Sequence, residues 1–282
     1  MTSIIACIDG SVYTHSVIDH AAWAATRLKN SIELLQVLKH RDADSSDLSG
    51  AISADAQQTL LSELAALDAA RAKLQQKQAR HVLDEAKVRL GAAGISDVTI
   101  SLRHGDFLDT LAAREANAGM VVIGKRGEAA DFAKLHLGSN LERVIRSSHK
   151  PVLVAARAFR PIKNVIIAFD GGPTALKVVD HAARSPLFAD LLLQLVMIGG
   201  DAATAQKQLA AAAATLKAGG HQVETRHEQG VASKVIAGLV SAGGVDLLVM
   251  GAYGHSHIRA LVIGSTTTEM IRSCKIPILL VR

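Results

Sequence analysis

The stretch VDLLVMGAYGHSHIRALVIGSTT, residues 245–267, decides the fold. It starts as an aliphatic run of strand length, breaks at Gly251 and Gly254, and resumes after Gly264 with Ser265, Thr266 and Thr267. Glycine lets the backbone approach a ligand with no Cβ in the way. A helix start offers free N–H groups and the positive end of the peptide dipole, which together hold phosphate. Taken alone, the same residues also serve as turn glycines and an ordinary helix cap. The rest of the chain chooses between these readings.

Working outward, most of this stretch has an earlier counterpart. MVVIGKRG (120–127) matches LLVMGAYG (247–254), and LGSNLERVIRSSHKPVLVAAR (137–157) matches IGSTTTEMIRSCKIPILLVR (263–282). IIACIDGS (4–11) matches VIIAFDGG (165–172), and IELLQVL (32–38) matches DLLLQLV (190–196). Four matched blocks in one order make a tandem repeat. The basic, proline-bearing stretch 158–164 marks the boundary, giving a first domain at 1–157 and a second at 158–282.

Each half contains five strand-like runs: 4–8, 32–38, 98–102, 120–123 and 152–155, then 165–169, 191–197, 222–226, 246–250 and 278–281. Helical patterns fill the gaps, so the repeat unit is βαβ and the sheets are parallel. The expected class is α/β: two tandem doubly wound domains, each a five-stranded parallel sheet flanked by helices. Aromatics are only 3% of the chain and apolar residues 49%, so the core is aliphatic. The first half carries an insert. Residues 40–50 are polar and turn-rich, and 54–90 have apolar residues at helical spacing, predicting one long amphipathic helix; it is expected to pack on its own sheet, the rival reading being that its exposed face meets a partner.

The net charge of +5 is spread without a block of like charges, and aromatics are scarce, which argues against nucleic acid. Cys7 and Cys274 sit in or beside aliphatic runs and read as two buried thiols. The start MTSIIACIDG has no basic region, and no apolar run reaches the roughly 18 residues of a membrane span. The chain is expected to be soluble and cytoplasmic. It has no G-x4-G-K-S/T, no dinucleotide fingerprint, no G-x-S-x-G and no H-E-x-x-H. His255 and His257, without a nearby Cys or acid, make a poor metal site.

The spacing G-x2-G-x9-G-S/T, the strand ending in Asp and the closing Pro-aliphatic strand resemble the universal stress protein family, in its tandem form. The resemblance spans nearly the whole chain outside the insert around 40–75. It implies a site for ATP, in which the first-strand Asp and the backbone late in the second strand serve adenosine and the glycine segment serves ribose and phosphates. In the second half these positions are Asp170, Leu195, Met250, Gly251, Gly254, Gly264, Ser265, Thr266 and Thr267, with His255 lining the loop. In the first half they are Asp9, Val37, Gly124, Gly127, Gly138, Ser139 and Asn140. That half fits less completely: ten residues, not nine, separate Gly127 from Gly138, Asn140-Leu141 replaces Thr266-Thr267, and Glu128 and Asp131 enter the loop. ATP is therefore expected chiefly in the second half, with Mg²⁺ as a possible companion on its phosphates.

No side chain stands out as a general base, so any hydrolysis is expected to be slow. The resemblance also implies that the last strands of the two halves meet in an internal pseudo-dimer; a homodimer beyond it is a further expectation that the sequence does not fix. Rival readings are a slow ATPase or self-phosphorylating protein, with Ser265 or Ser139 as acceptor, and an interaction scaffold that holds no nucleotide or an apolar, lipid-like ligand.

Overall fold

The structure, a computed structural model, describes residues 2–38, 54–125, 138–252 and 265–282. All ten expected strands form, with ends within two residues of those read from the sequence. In the first half they are β1 (Ser3–Cys7), β2 (Ser31–Leu38), β3 (Val98–His104), β4 (Ala118–Gly124) and β5 (Val152–Ala155). In the second they are β6 (Asn164–Phe169), β7 (Leu192–Ile198), β8 (Gln222–Glu228), β9 (Leu247–Gly251) and β10 (Ile278–Val281). Helices α1 (Thr14–Leu28), α2 (Ala54–Ala92), α3 (Phe107–Glu115) and α4 (Ser139–Ser147) alternate with the first five strands. Their counterparts α5 (Pro173–Arg184), α6 (Ala202–Ala218), α7 (Ala232–Ser241) and α8 (Ser265–Ser273) do the same in the second half.

The strands join in one ten-stranded sheet of order β3-β2-β1-β4-β5-β10-β9-β6-β7-β8. Every ladder is parallel except the central one, where β5 and β10 run antiparallel with Leu153 opposite Leu279. Those two leucines hold equivalent places in the repeat, so a pseudo-two-fold axis passes between them. The seam is self-complementary in the way a symmetric dimer interface is.

Alternation of side chains sorts the core into two layers. Ile4, Ala6, Ile167, Leu193 and Leu195 face α1, α2, α5 and α6. Ile5, Cys7, Ile166, Leu248 and Leu280 face α3, α4, α7 and α8. Strands buried on both faces read as continuous aliphatic runs, which is why their alternation is invisible in the sequence. Each fully buried Ile or Leu contributes about 1.5–3 kcal/mol relative to exposure. Both cysteines are free and buried, as read from their aliphatic surroundings.

Two cations also stitch the seam. Lys125, 8% exposed, donates to the carbonyl of Cys274 and, at 3.4 Å, to that of Ile276. Arg282 donates to the carbonyls of Arg146 and Ser148 at 3.3 and 3.0 Å. Ser148 and Cys274 are the C-terminal ends of equivalent helices, so each half caps the other's last helix, where orphan carbonyls and the dipole favour a positive charge.

The long insert helix forms, but its expected packing holds only for its last part. Ala79, Leu83, Ala86 and Leu90 are buried against the first-half body. From residue 58 to residue 75 every residue of α2 is exposed. Among the described residues no helix is long and apolar enough to cross a membrane.

Candidate functional site

In an open α/β sheet, ligands bind beyond the carboxyl ends of the strands, where strand order reverses. In the second half that point lies between β6 and β9. The two strands pair at Val165–Leu247, Ile166–Leu248 and Ile167–Val249, and the ladder stops there although both strands continue. In the first half β1 and β4 stay paired one step further, to Cys7–Ile123. The second-half crevice therefore opens sooner.

Asp170 stands at its lip, exposed, on the residue after β6. Its Oδ1 accepts from the Gly172 N–H at 2.9 Å, folding the chain into the start of α5. Gly171 holds φ +75°, a left-handed conformation that costs a side-chain-bearing residue and suits glycine. The first half repeats the turn: Asp9 Oδ1 accepts from the Ser11 N–H at 3.0 Å, and Gly10 has φ +76°.

What lies over the turn differs. A Cβ on Gly171 would meet the Gln208 amide at 2.5 Å, whereas one on Gly10 would meet Val82 Cγ2 at 3.7 Å. Gln208 on α6 and Val82 on α2 hold equivalent positions, each half-buried. The second half thus sets a polar amide beside its Asp-Gly turn and the first half a methyl. The four matched sequence blocks miss this difference because the helices that carry it lie between them.

Opposite Asp170, Gly251 ends β9 and α8 begins at Ser265. Met250 is buried under the sheet end, and Thr266 is half-buried at the first turn of α8. Thr267 is 2% exposed, and its hydroxyl lies 3.5 Å from the carbonyls of both Gly251 and Ala252. It ties the helix start to the strand end. Its first-half counterpart, Leu141, fills the same buried place with an apolar side chain. In that half Gly124 ends β4, Gly138 precedes α4 and donates its N–H to the Lys125 carbonyl at 3.3 Å, and Asn140 is half-buried. Gly127, Gly254, His255 and Gly264 lie outside the described residues, as do the side chains of Ser139 and Ser265.

Strand register corrects one pairing made from the repeat. Ile4 pairs with Ile32 and Val165 with Leu193, which sets Ile198 in the place of Val37 and Leu195 in the place of Leu34. Leu195 is fully buried in mid-strand, whereas Ile198 and Val37 are both half-buried at the strand ends, level with the aspartates. The recurring Leu-Leu-Gln misled the alignment by three residues, since it falls at different heights in β2 and β7.

Burial pushes the Cys7 thiol well above its ordinary range, and raises Cys274 against the opposing pull of Lys125. Neither is poised as a nucleophile. Among the described residues, no group of three or more His, Cys, Asp or Glu is gathered to hold a metal.

The geometry agrees with what comparison with known proteins finds. The profile of the universal stress protein family matches residues 1–156 and 188–282. The chain is 38% identical to the universal stress protein Slr1230 of Synechocystis over 287 aligned residues, covering all of both chains. Among solved structures, a universal stress protein of Archaeoglobus fulgidus aligns at a TM-score of 0.74 and 19% identity, over 99% of this chain and 98% of that one. A second, from Pseudomonas aeruginosa, aligns at 0.62 and 16%, over 100% and 93%. The protein is a member of the universal stress protein family, carrying the family's fold twice in one chain.

Proposed function

We propose that this chain is an adenine-nucleotide-binding regulatory module, with ATP taken chiefly by the second half. The observation that carries the reading is the early parting of β6 and β9, which opens a crevice between Asp170 and the start of α8. Asp170 would hold the adenosine end by its carboxylate. Ile198, level with it, would supply the apolar rim and backbone groups for the base. The free N–H groups of the α8 start and the Thr266 hydroxyl would hold phosphate oxygens, helped by the helix dipole. Gln208 adds a polar amide beside the Asp170-Gly171 turn.

A divalent ion arriving with ATP would neutralise phosphate charge; this chain's part would be to orient the phosphates. No described side chain is placed as a general base, so the natural output is a binding-dependent change of surface and not rapid turnover.

Calorimetric titration with ATP and Mg²⁺ tests the reading. Saturable binding of about one ATP per chain, weakened about 10- to 100-fold in Asp170→Ala and kept in Asp9→Ala, is expected. No saturable heat in the parent protein would instead favour a scaffold without nucleotide.

A further inference from the structure

The exposed part of α2 carries a line of leucines that no described residue covers. Leu64, Leu67 and Leu74 are 46%, 66% and 66% exposed, and Leu60 starts the same line. Leu60, Leu64, Leu67 and Leu74, with Arg71 between the last two, fall at alternating steps of four and three, the spacing of a coiled-coil seam that holds one charge. From Leu60 to Leu74 the seam runs about 21 Å at the usual helical rise. The residues that anchor α2 to the body, Ala79, Leu83, Ala86 and Leu90, lie on a different face, about 110° round the helix at the usual 3.6 residues per turn. The seam therefore turns away from the chain's own core.

We propose that this seam is a self-association site, on which α2 of a second copy packs antiparallel. Charge decides both the occupant and the direction. Acids lie early in the exposed segment, at Glu63 and Asp68, and bases late, at Arg71, Lys73 and Lys77. A parallel pair would set Glu63 beside Asp68 of the second copy and Arg71 against Arg71, which repel. An antiparallel pair centred near Ala70 sets Glu63 beside Lys77 of the second copy and Arg71 beside Asp68, each twice by symmetry. Leu64 then faces Leu74, and two Ala70 side chains meet near the axis. Flanking charges select partner and orientation in this way in coiled coils. Because the anchoring residues lie beyond the seam and on another face, the two bodies sit at opposite ends of the pair without crossing it. The inference rests on no part of the nucleotide reading.

Sedimentation of the full chain tests it. The parent protein is expected at twice the chain mass, and Leu67→Glu/Leu74→Glu at the chain mass with an unchanged helical circular dichroism spectrum. Glu63→Lys alone weakens the dimer, and adding Lys77→Glu restores it. Under mild oxidation Ala70→Cys cross-links to itself and Ala69→Cys, one step round the helix, does not; the native thiols are buried. A monomer at every concentration overturns the proposal, as does a dimer that survives the double glutamate variant. A monomer whose melting point drops on Leu67→Glu also overturns it, and assigns the seam to another segment of the same chain. Co-sedimentation of the monomer with anionic phospholipid vesicles, lost in the double variant, overturns it in favour of a lipid surface.

Discussion

The two halves of this protein share a strand order, a pair of Asp-Gly turns and reciprocal caps, yet their ligand ends have been built differently. In the second half β6 and β9 part early, an amide lies over the turn, and Thr267 ties helix to strand. In the first half the ladder runs one pair longer, a valine methyl lies over the turn, and Leu141 fills the threonine's place. The first half therefore keeps its strands paired one step longer and lines their ends with more apolar groups. The comparison teaches that one strand order can frame two differently lined ends.

The sharpest way to break this comparison is at the aspartates. Asp170→Ala should weaken ATP binding about 10- to 100-fold, the scale of a lost charged hydrogen bond, and Asp9→Ala should leave it unchanged. Equal losses in calorimetry would show two equivalent sites.

Packing of the outer helices separates the halves next. A Cβ on Gly219, at the end of α6, would lie 2.3 Å from the Ala183 carbonyl oxygen, so Gly219→Ala forces α6 away from α5. Its equivalent in the first half is already Ala93. Chemical denaturation should show Gly219→Ala costing about 1–3 kcal/mol, against less than about 1 kcal/mol for Ala93→Gly. A tolerated Gly219→Ala would mean that the two helix pairs pack alike.

The seam cations should differ in the same direction as their burial. Lys125→Met leaves two carbonyls inside the seam without their donor and should cost about 1–3 kcal/mol. Arg282→Ala, at a wetter position, should cost less than about 1 kcal/mol. Thermal unfolding of both variants checks the ranking.

Acid should act on both halves through an equivalent pair of histidines, each with a buried Nε2. His20 and His181 occupy matching places on α1 and α5, and the Nε2 of each has no partner among the described residues. Burial lowers both below the ordinary value of 6.5, against a weaker opposing effect at His20 of the Ser16 carbonyl. The unfolded chain therefore takes up protons first as pH falls. Stability is full above about 6.5 and declines as pH drops toward the lowered values of the folded state. Melting points recorded from about pH 7.5 to about pH 5 should fall, and His20→Asn should flatten the fall. A smaller effect on binding than that of Asp170→Ala is expected at Gln208→Val, which makes the second turn resemble the first and should cost a few-fold in ATP affinity, about 1 kcal/mol.

Much of this was legible in the chain itself. The ten strands showed because doubly buried strands are unbroken aliphatic runs between turn signals, and the repeat fixed their order. The Asp-Gly turns and the strand-glycine-helix junction showed because special backbone angles leave few residue choices. Other features depend on what stands across space. Lys125 reads as part of a glycine loop, and only the meeting of β5 and β10 reveals that it caps the opposite half. Leu195 in place of Ile198 was an error of register, which sequence similarity settles poorly where every residue is aliphatic. How much of α2 packs on the body was undecided, because its apolar spacing is the same whether the leucines meet a sheet or water.

The antiparallel seam of β5 and β10 has one more consequence. Were it formed by two separate copies, every substitution would appear on both sides at once, and a change that improved one site would be imposed on the other. Joined in a single chain, the two sides are inherited independently. One half is free to change the lining of its strand ends while the other acquires a long inserted helix, and neither change dilutes or dissociates the sheet they share.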